Sequence, residues 1–160
     1  FKPAMFLTSF LLIKYWLNNK KIILYKDPKN TYINKFVFFG IGSAVLLVIH
    51  SIFLGIKFEY ELYKLFRRVV ILFFIVFEII AQTYLVICLY KIRHSISENI
   101  NEIFLKLKIF LVSLLIIVAL ISIPLVSAPG NKYLKHALEW DYFVGVISFY
   151  LLTFFMWKKN

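Results

Sequence analysis

The stretch KYLKHALEWDYFVGVISFYLLTFFMWKK, residues 132–159, decides the fold class of this chain. Its charged residues occur only towards its two ends, and an apolar, aromatic-rich run over 142–157 separates them. A helix of a soluble protein carries charge along one whole face. Charge confined to the ends is typical of a helix whose middle lies in hydrocarbon and whose ends lie among lipid headgroups. The stretch therefore predicts a transmembrane helix over about 139–157.

The composition of the whole chain agrees with this interpretation. Hydrophobic residues make up 62% of the 160 residues, and the mean hydropathy is +0.83. A soluble domain of this size leaves too much of its surface exposed to hide so many apolar side chains, so lipid is the solvent that fits. The net charge of +11 comes from basic clusters between the apolar runs. These clusters favour anionic headgroups as partners and disfavour nucleic acid.

Five apolar runs predict an all-α, polytopic bundle that forms one transmembrane domain over residues 1–160. The first run is short for a span of about 20 residues. The chain also begins at Phe1 without an initiator Met. We therefore expect a truncated N-terminus and a sixth span upstream in the intact chain. The predicted spans are 4–17, 36–56, 69–90, 109–127 and 139–157.

The distribution of basic residues predicts the orientation. Lysine and arginine are more numerous in segments 18–35 and 91–108 and in the C-terminal tail than in the other loops. The positive-inside rule then places these three segments in the cytoplasm of an integral membrane protein, in a membrane that the sequence does not identify. Local signals predict a turn at Asp27-Pro28. Ser95 and Glu98 fit a capping box that starts the helix leading into the fourth run.

Glu78 is the most anomalous residue because it lies near the middle of the third apolar run. A carboxylate at the centre of a bilayer costs about 3 kcal/mol or more, so it should be protonated, paired or turned towards a wet cavity. Gln82 follows four residues later and shares its helical face. Two interpretations stay open at this point. Glu78 either packs the bundle together through hydrogen bonds, or it contributes to a functional site.

Three further polar residues, His50, His136 and Glu139, are predicted to lie in the same half of the membrane as Glu78 or at the outer surface of the membrane. We hypothesise that they converge with Glu78 and Gln82 on a polar pocket in the outer half, which could hold a lipid headgroup. The alternatives are a packing role for His50 and an interfacial anchoring role for the 136–139 segment. Side chains turned away from each other would exclude the pocket.

Other patterns indicate packing or exclude chemistry. Gly40 and Ala44 are four apart, a spacing that lets another helix approach closely. The sequence contains no HExxH, CxxC, GxSxG or glycine-rich phosphate loop. We therefore name no catalytic residue and expect neither a metal site nor a cofactor. An enzymatic role stays open as the less favoured interpretation.

The sequence His136-Ala-Leu-Glu139-Trp140, followed by the aromatic segment 149–154, resembles the end of the DRAM family, the damage-regulated autophagy modulators. It is also similar to their relatives that remodel GPI-anchor lipids or activate FGF receptors. Proteins of this family end with a histidine a few residues before a Glu-Trp or Glu-Tyr pair and an aromatic last helix. The resemblance implies six spans with both ends cytoplasmic and a role in lipid handling or membrane trafficking. His136 and Glu139 are the two positions of this sequence that match the motif residues of the family.

The leading hypothesis is a DRAM-like integral membrane protein that binds membrane lipid, or helps to remodel it, through the outer pocket. The main alternative is a small structural subunit of a larger membrane complex, such as a respiratory one, with other membrane subunits as partners. A membrane-embedded lipid-modifying enzyme is the third. A lateral gap beside Glu78 would favour lipid handling. A Glu78 satisfied within the bundle, with Gly40 and Ala44 against another chain, would favour the subunit.

Overall fold

The structure, a computed structural model, describes residues 2–56, 60–127 and 132–158, without the side chains of 61, 64, 123–127, 132–136 and 139. The described residues form five α-helices and a 3₁₀ turn at Arg93–Ile96. A one-residue bridge between Ile100 and Trp157 is the β-type pairing found in these ranges. The predicted all-α class is confirmed. The helices are α1 Lys2–Lys26, α2 Ile33–Phe53, α3 Glu61–Lys91, α4 Glu102–Ser127 and α5 Lys132–Met156.

Among the described residues, three helices are long and apolar enough to cross a membrane. They are α2 over Ile33–Phe53, α3 over Leu65–Lys91 and α4 over Glu102–Ser122. The segment Trp140–Met156 of α5 is apolar but shorter. The helices are consistent with an integral membrane protein.

Helix α1 continues well past the predicted end of the first span at residue 17. No glycine or proline interrupts 18–26, and the side-chain amide of Asn19 donates to the Tyr15 carbonyl at 2.9 Å within the helix. The helix ends at Lys26 because the residue before a proline disfavours the α conformation, and Asp27 precedes Pro28. The Asp27 amide closes the last turn on the Ile23 carbonyl at 2.8 Å. The predicted turn is confirmed, but most of the predicted first loop is helical.

Helix α3 also begins earlier than predicted. The predicted third span begins at residue 69, yet residues 61–68 already belong to the helix. Arginine, lysine and leucine are good helix formers, so a mixed-charge segment can extend an apolar helix. The Tyr63 hydroxyl donates to the Phe53 carbonyl at 2.6 Å and fastens this first turn to the end of α2.

Helix α4 starts at Glu102, so the predicted capping box at Ser95 and Glu98 is wrong. The 3₁₀ turn occupies that segment, and Asn101 caps α4 instead. The Asn101 side-chain oxygen accepts a hydrogen bond from the Ile103 amide at 3.0 Å. This is the Asx geometry that satisfies a free N–H at a helix start.

The chain divides into two compact units, Phe1–Cys88 and Leu89–Asn160. In the first unit, α1 and α2 run antiparallel. The Lys2 ammonium group at the start of α1 donates to the Ile52 carbonyl near the end of α2 at 3.3 Å. In the second unit, α4 and α5 run antiparallel. The Asn101 amide donates to the Met156 carbonyl at 2.8 Å, which joins the start of α4 to the end of α5.

Apolar and polar side chains are distributed as expected for a protein in lipid. Large apolar side chains point outward, and Phe38 and Phe110 are 67% and 65% exposed. Polar and charged side chains, by contrast, are fully buried at Glu78, Gln82 and Lys108. Water would penalise both features, whereas hydrocarbon favours the first and requires the second.

Candidate functional site

A buried polar cluster joins α2 to α3 in the first unit. Glu78 lies at the midpoint of the apolar Leu65–Lys91 span. The Ser43 hydroxyl on α2 lies 2.7 Å from its Oε2, and the Gln82 amide nitrogen donates to its Oε1 at 3.2 Å. All three side chains are fully buried. We define Ser43, Glu78 and Gln82 as the Glu78 cluster.

The hydrogen bonds of Ser43 indicate how the cluster holds its protons. The Ser43 oxygen lies 2.7 Å from the Gly40 carbonyl oxygen and 2.7 Å from Glu78 Oε2. A hydroxyl has one proton and can donate to only one of two such acceptors. Both contacts are hydrogen bonds if the Glu78 carboxyl group is neutral and donates to Ser43, which then donates to Gly40. The sequence allowed a protonated or paired Glu78, and the hydrogen bonds show that Glu78 is paired.

Sequence reasoning found two members of the cluster and missed the third. Glu78 and Gln82 share a face of α3, as their spacing predicts. Ser43 is the missed residue. It lies on α2 between Gly40 and Ala44, the two residues that the sequence predicts to pack against another helix. A serine one turn after Gly40 in an apolar run was the available signal, because its hydroxyl needs a partner in hydrocarbon.

The small residues of α2 lie where the first unit packs most closely. Gly40 and Ala44 are both buried. A Cβ atom at Gly40 would overlap the indole ring of Trp16 on α1, and one at Gly42 would lie 2.8 Å from Phe77 on α3. Glycine at both positions therefore lets bulky aromatic rings approach the backbone of α2.

His50 lies on α2, seven residues after Ser43, which is about 10 Å farther along the helix axis. It is half-buried, and its Nδ1 has no hydrogen-bond partner among the described residues. The structure brings Glu78 and Gln82 together with Ser43, and no hydrogen bond in the described part of the chain adds His50 to them.

The other two predicted pocket residues, His136 and Glu139, belong to α5 in the second unit. Their side chains lie outside the described residues. The predicted convergence of these two side chains with Glu78 and His50 stays a prediction.

A second buried polar cluster, which the sequence reasoning missed, lies in the second unit. The Lys108 ammonium group on α4 is fully buried and donates to the Thr153 hydroxyl on α5 at 2.6 Å. Thr153 in turn donates to the Phe149 carbonyl at 3.0 Å. The ammonium nitrogen also lies 4.0 Å from the centroid of the Phe149 ring, a cation–π distance. We define Lys108, Phe149 and Thr153 as the Lys108 cluster.

Neither cluster has the composition of a metal site. Within the described ranges, no group of three or more His, Cys, Asp or Glu side chains lies close enough to hold a metal ion. The buried thiol of Cys88 lies 3.6 Å from the side-chain oxygen of Asn30. Both clusters can hold helices together and keep polar groups out of lipid.

The chain was compared with protein families, curated proteins and solved structures. No family model matches the chain. No curated protein and no solved structure matches it significantly.

Proposed function

We propose that this protein is a non-catalytic integral membrane protein that binds membrane lipid on the outer faces of its helices. One observation carries the proposal: large apolar side chains are exposed along the helices while polar side chains are buried between them. An outer surface of this kind is complementary to acyl chains. The resemblance of the 136–154 segment to the DRAM family favours the same class of function.

The Glu78 cluster supports a revised role for the residues first assigned to a lipid pocket. Glu78 and Gln82 are fully buried and hydrogen-bonded to each other, and Ser43 supplies the contact from α2. Their side chains are therefore engaged in joining two helices, which favours packing over direct contact with a headgroup. In this proposal the lipid contacts the exposed apolar side chains.

Lipid retention of the purified protein tests the proposal. The chain is extracted in mild detergent, exchanged into a detergent that strips lipid, and heated with and without added phosphatidylcholine. We expect the lipid to raise the apparent unfolding temperature, because a ligand that binds only the folded state stabilises it by mass action. An unfolding temperature that does not respond, together with no phospholipid detected in the native mass spectrum, would contradict the proposal.

A second candidate is a structural subunit of a larger membrane complex. The specific observation in its favour is that Glu78 is satisfied within the chain. The exposed residues Phe38, Val45 and Ile52 also form a stripe of α2 at seven-residue spacing, which could pack on another subunit. Molar mass in mild detergent separates the candidates. A protein mass near 19.0 kDa favours the lipid-binding chain, and a stable larger assembly favours the subunit.

The proposed orientation places the lysine-rich turn after α1 in the cytoplasm. Lys26 and Lys29 flank this turn, and Lys20 and Lys21 precede it in α1. A cysteine introduced at Lys29 in a variant without Cys88 should react with a membrane-impermeant maleimide only after the membrane is opened. Reaction in intact cells would reverse the orientation.

A further inference from the structure

The outward face of α1 changes from apolar to basic along the helix. Leu7, Phe10 and Leu11 are exposed, at 60%, 54% and 55%. Residues 14, 17, 18, 21 and 24 continue the same face, because they follow at steps of three and four. The opposite face packs inward through Leu12 and Trp16. One side of α1 therefore offers an apolar strip that leads directly to lysines.

A cavity of about 600 Å³, open to the outside, lies along the basic part of this face, and the half-buried Lys20 at the edge of the face also lines it. Its lining combines three lysines with two leucines and one asparagine, and none of the described acidic side chains contributes to it. Lysine ammonium groups bind phosphate as point charges, and the Asn18 amide adds a donor. The leucines keep part of the lining apolar. The lining residues are Lys14, Leu17, Asn18, Lys20, Lys21 and Leu24.

Lys14 marks the boundary between the two parts. Its ammonium nitrogen lies 4.6 Å from the centroid of the Phe10 ring, so it packs on the last apolar turn and borders the cavity. A lipid has the same division, since acyl chains are joined to a phosphate-bearing headgroup. A soluble anion would use the lysines but not the apolar strip.

We propose that this face of α1 is a binding site for an anionic phospholipid. The phosphate lies among Lys14, Lys20 and Lys21, and the acyl chains lie along Phe10 and Leu11. This inference rests on the proposed lipid-binding function and adds to it a headgroup class and a location. Each lysine near an anionic headgroup contributes about fivefold to binding, so the loss of all three should reduce the preference by about a hundredfold.

Competition between two phospholipids tests the site. The whole chain, in detergent with equal amounts of phosphatidylcholine and phosphatidylglycerol, is examined by native mass spectrometry for bound lipid. The test variant is K14Q/K20Q/K21Q. The matched control is K26Q/K29Q/K106Q, which removes the same charge from exposed lysines outside the cavity. We expect the natural chain and the control to prefer phosphatidylglycerol and the test variant to lose that preference.

Six outcomes would overturn the inference. The control could lose as much preference as the test variant, or the test variant could keep it. Soluble glycerol phosphate could compete as well as the lipid, which would indicate a simple phosphate site. The variant K14R/K20R/K21R, which keeps the charge, could fail to keep the preference. A natural chain that binds both lipids equally overturns the inference and leaves the proposed function intact, whereas a chain that binds neither overturns both.

Discussion

The two buried polar clusters satisfy a buried ionisable side chain with different partners. Glu78 lies at the centre of a membrane span and contacts two polar side chains, Ser43 and Gln82. Lys108 lies six residues into its helix and contacts one hydroxyl and one aromatic ring. Both oxygens of the carboxyl group are in hydrogen bonds, whereas the three N–H donors of the ammonium group share one acceptor among the described residues, the Thr153 hydroxyl.

This difference indicates which helix pair depends more on its polar cluster for stability. Removing Glu78 leaves the Gln82 amide nitrogen without the acceptor that holds it. Removing Lys108 leaves Thr153 still bonded to the Phe149 carbonyl. A buried donor that is left without an acceptor costs more free energy than a donor that is itself removed. We therefore expect the Glu78 cluster to be sensitive to the loss of Glu78 and the Lys108 cluster to tolerate the loss of its lysine.

The largest expected effect is at Glu78. Glu78→Leu should lower the free energy of unfolding by about 3 kcal/mol, because Gln82 and Ser43 lose their shared partner in an apolar interior. Glu78→Gln should cost less than about 1 kcal/mol, since a neutral amide can accept from Gln82 and donate to Ser43. Reversible unfolding in mixed micelles measures both. Equal losses in the two variants would contradict the neutral hydrogen-bonded cluster.

A glycine in each unit extends the comparison. Gly40→Ala should lower the free energy of unfolding by about 2 kcal/mol, because the new methyl group overlaps the rigid indole of Trp16. Gly145→Ala in the second unit should cost less than about 1 kcal/mol. Its Cβ would lie 2.5 Å from the end of the flexible Leu115 side chain, which can rotate away. The same unfolding assay applies, and a larger cost at Gly145 would reverse this ranking.

At Lys108 we expect a substitution to raise the free energy of unfolding. Lys108→Met keeps most of the length of the side chain and removes a buried ammonium group, so we expect the free energy of unfolding to rise by about 1 kcal/mol. Thr153→Val should lower it by about 1 kcal/mol, because the amine then loses its hydroxyl partner. A marked loss of stability in Lys108→Met would mean that the amine is as important to its helix pair as Glu78 is to its own.

These contrasts indicate what the sequence could and could not predict. Glu78 stands alone in a long apolar run, so its burial and its pairing with Gln82 follow from spacing. Lys108 follows Lys106 near the start of an apolar run and was assigned to a loop. Its burial depends on α4 starting at Glu102 and on Thr153 and Phe149 of α5. Such long-range contacts leave no periodic signal in one sequence.

The same limit applies to Ser43 and to the helix bounds. A serine in an apolar run needs a partner, but the sequence does not tell which helix supplies it. The apolar runs locate the helices because hydrocarbon demands continuous apolar surface. They do not locate the ends, since lysine and arginine continue a helix as readily as leucine does. Helices α1 and α3 therefore exceed their predicted bounds.

The smallest expected effect concerns the start of α4, which places Lys108 within a helix. Asn101→Ala should lower the free energy of unfolding by about 0.5–1 kcal/mol, because the Ile103 amide loses its cap. Ser95→Ala should have almost no effect, since Ser95 does not begin α4. Thermal unfolding of the two variants in one detergent gives the comparison, and a greater loss at Ser95 would restore the predicted capping box.

The central claim is that Glu78 joins α2 to α3 through Ser43, and a double-mutant cycle tests it most directly. The free energy of unfolding is measured for the natural chain, Ser43→Ala, Glu78→Leu and the double variant. We expect a coupling energy of about 1 kcal/mol between the two positions. Effects that add to within about 0.3 kcal/mol would contradict it, because two side chains that share a hydrogen bond cannot act independently.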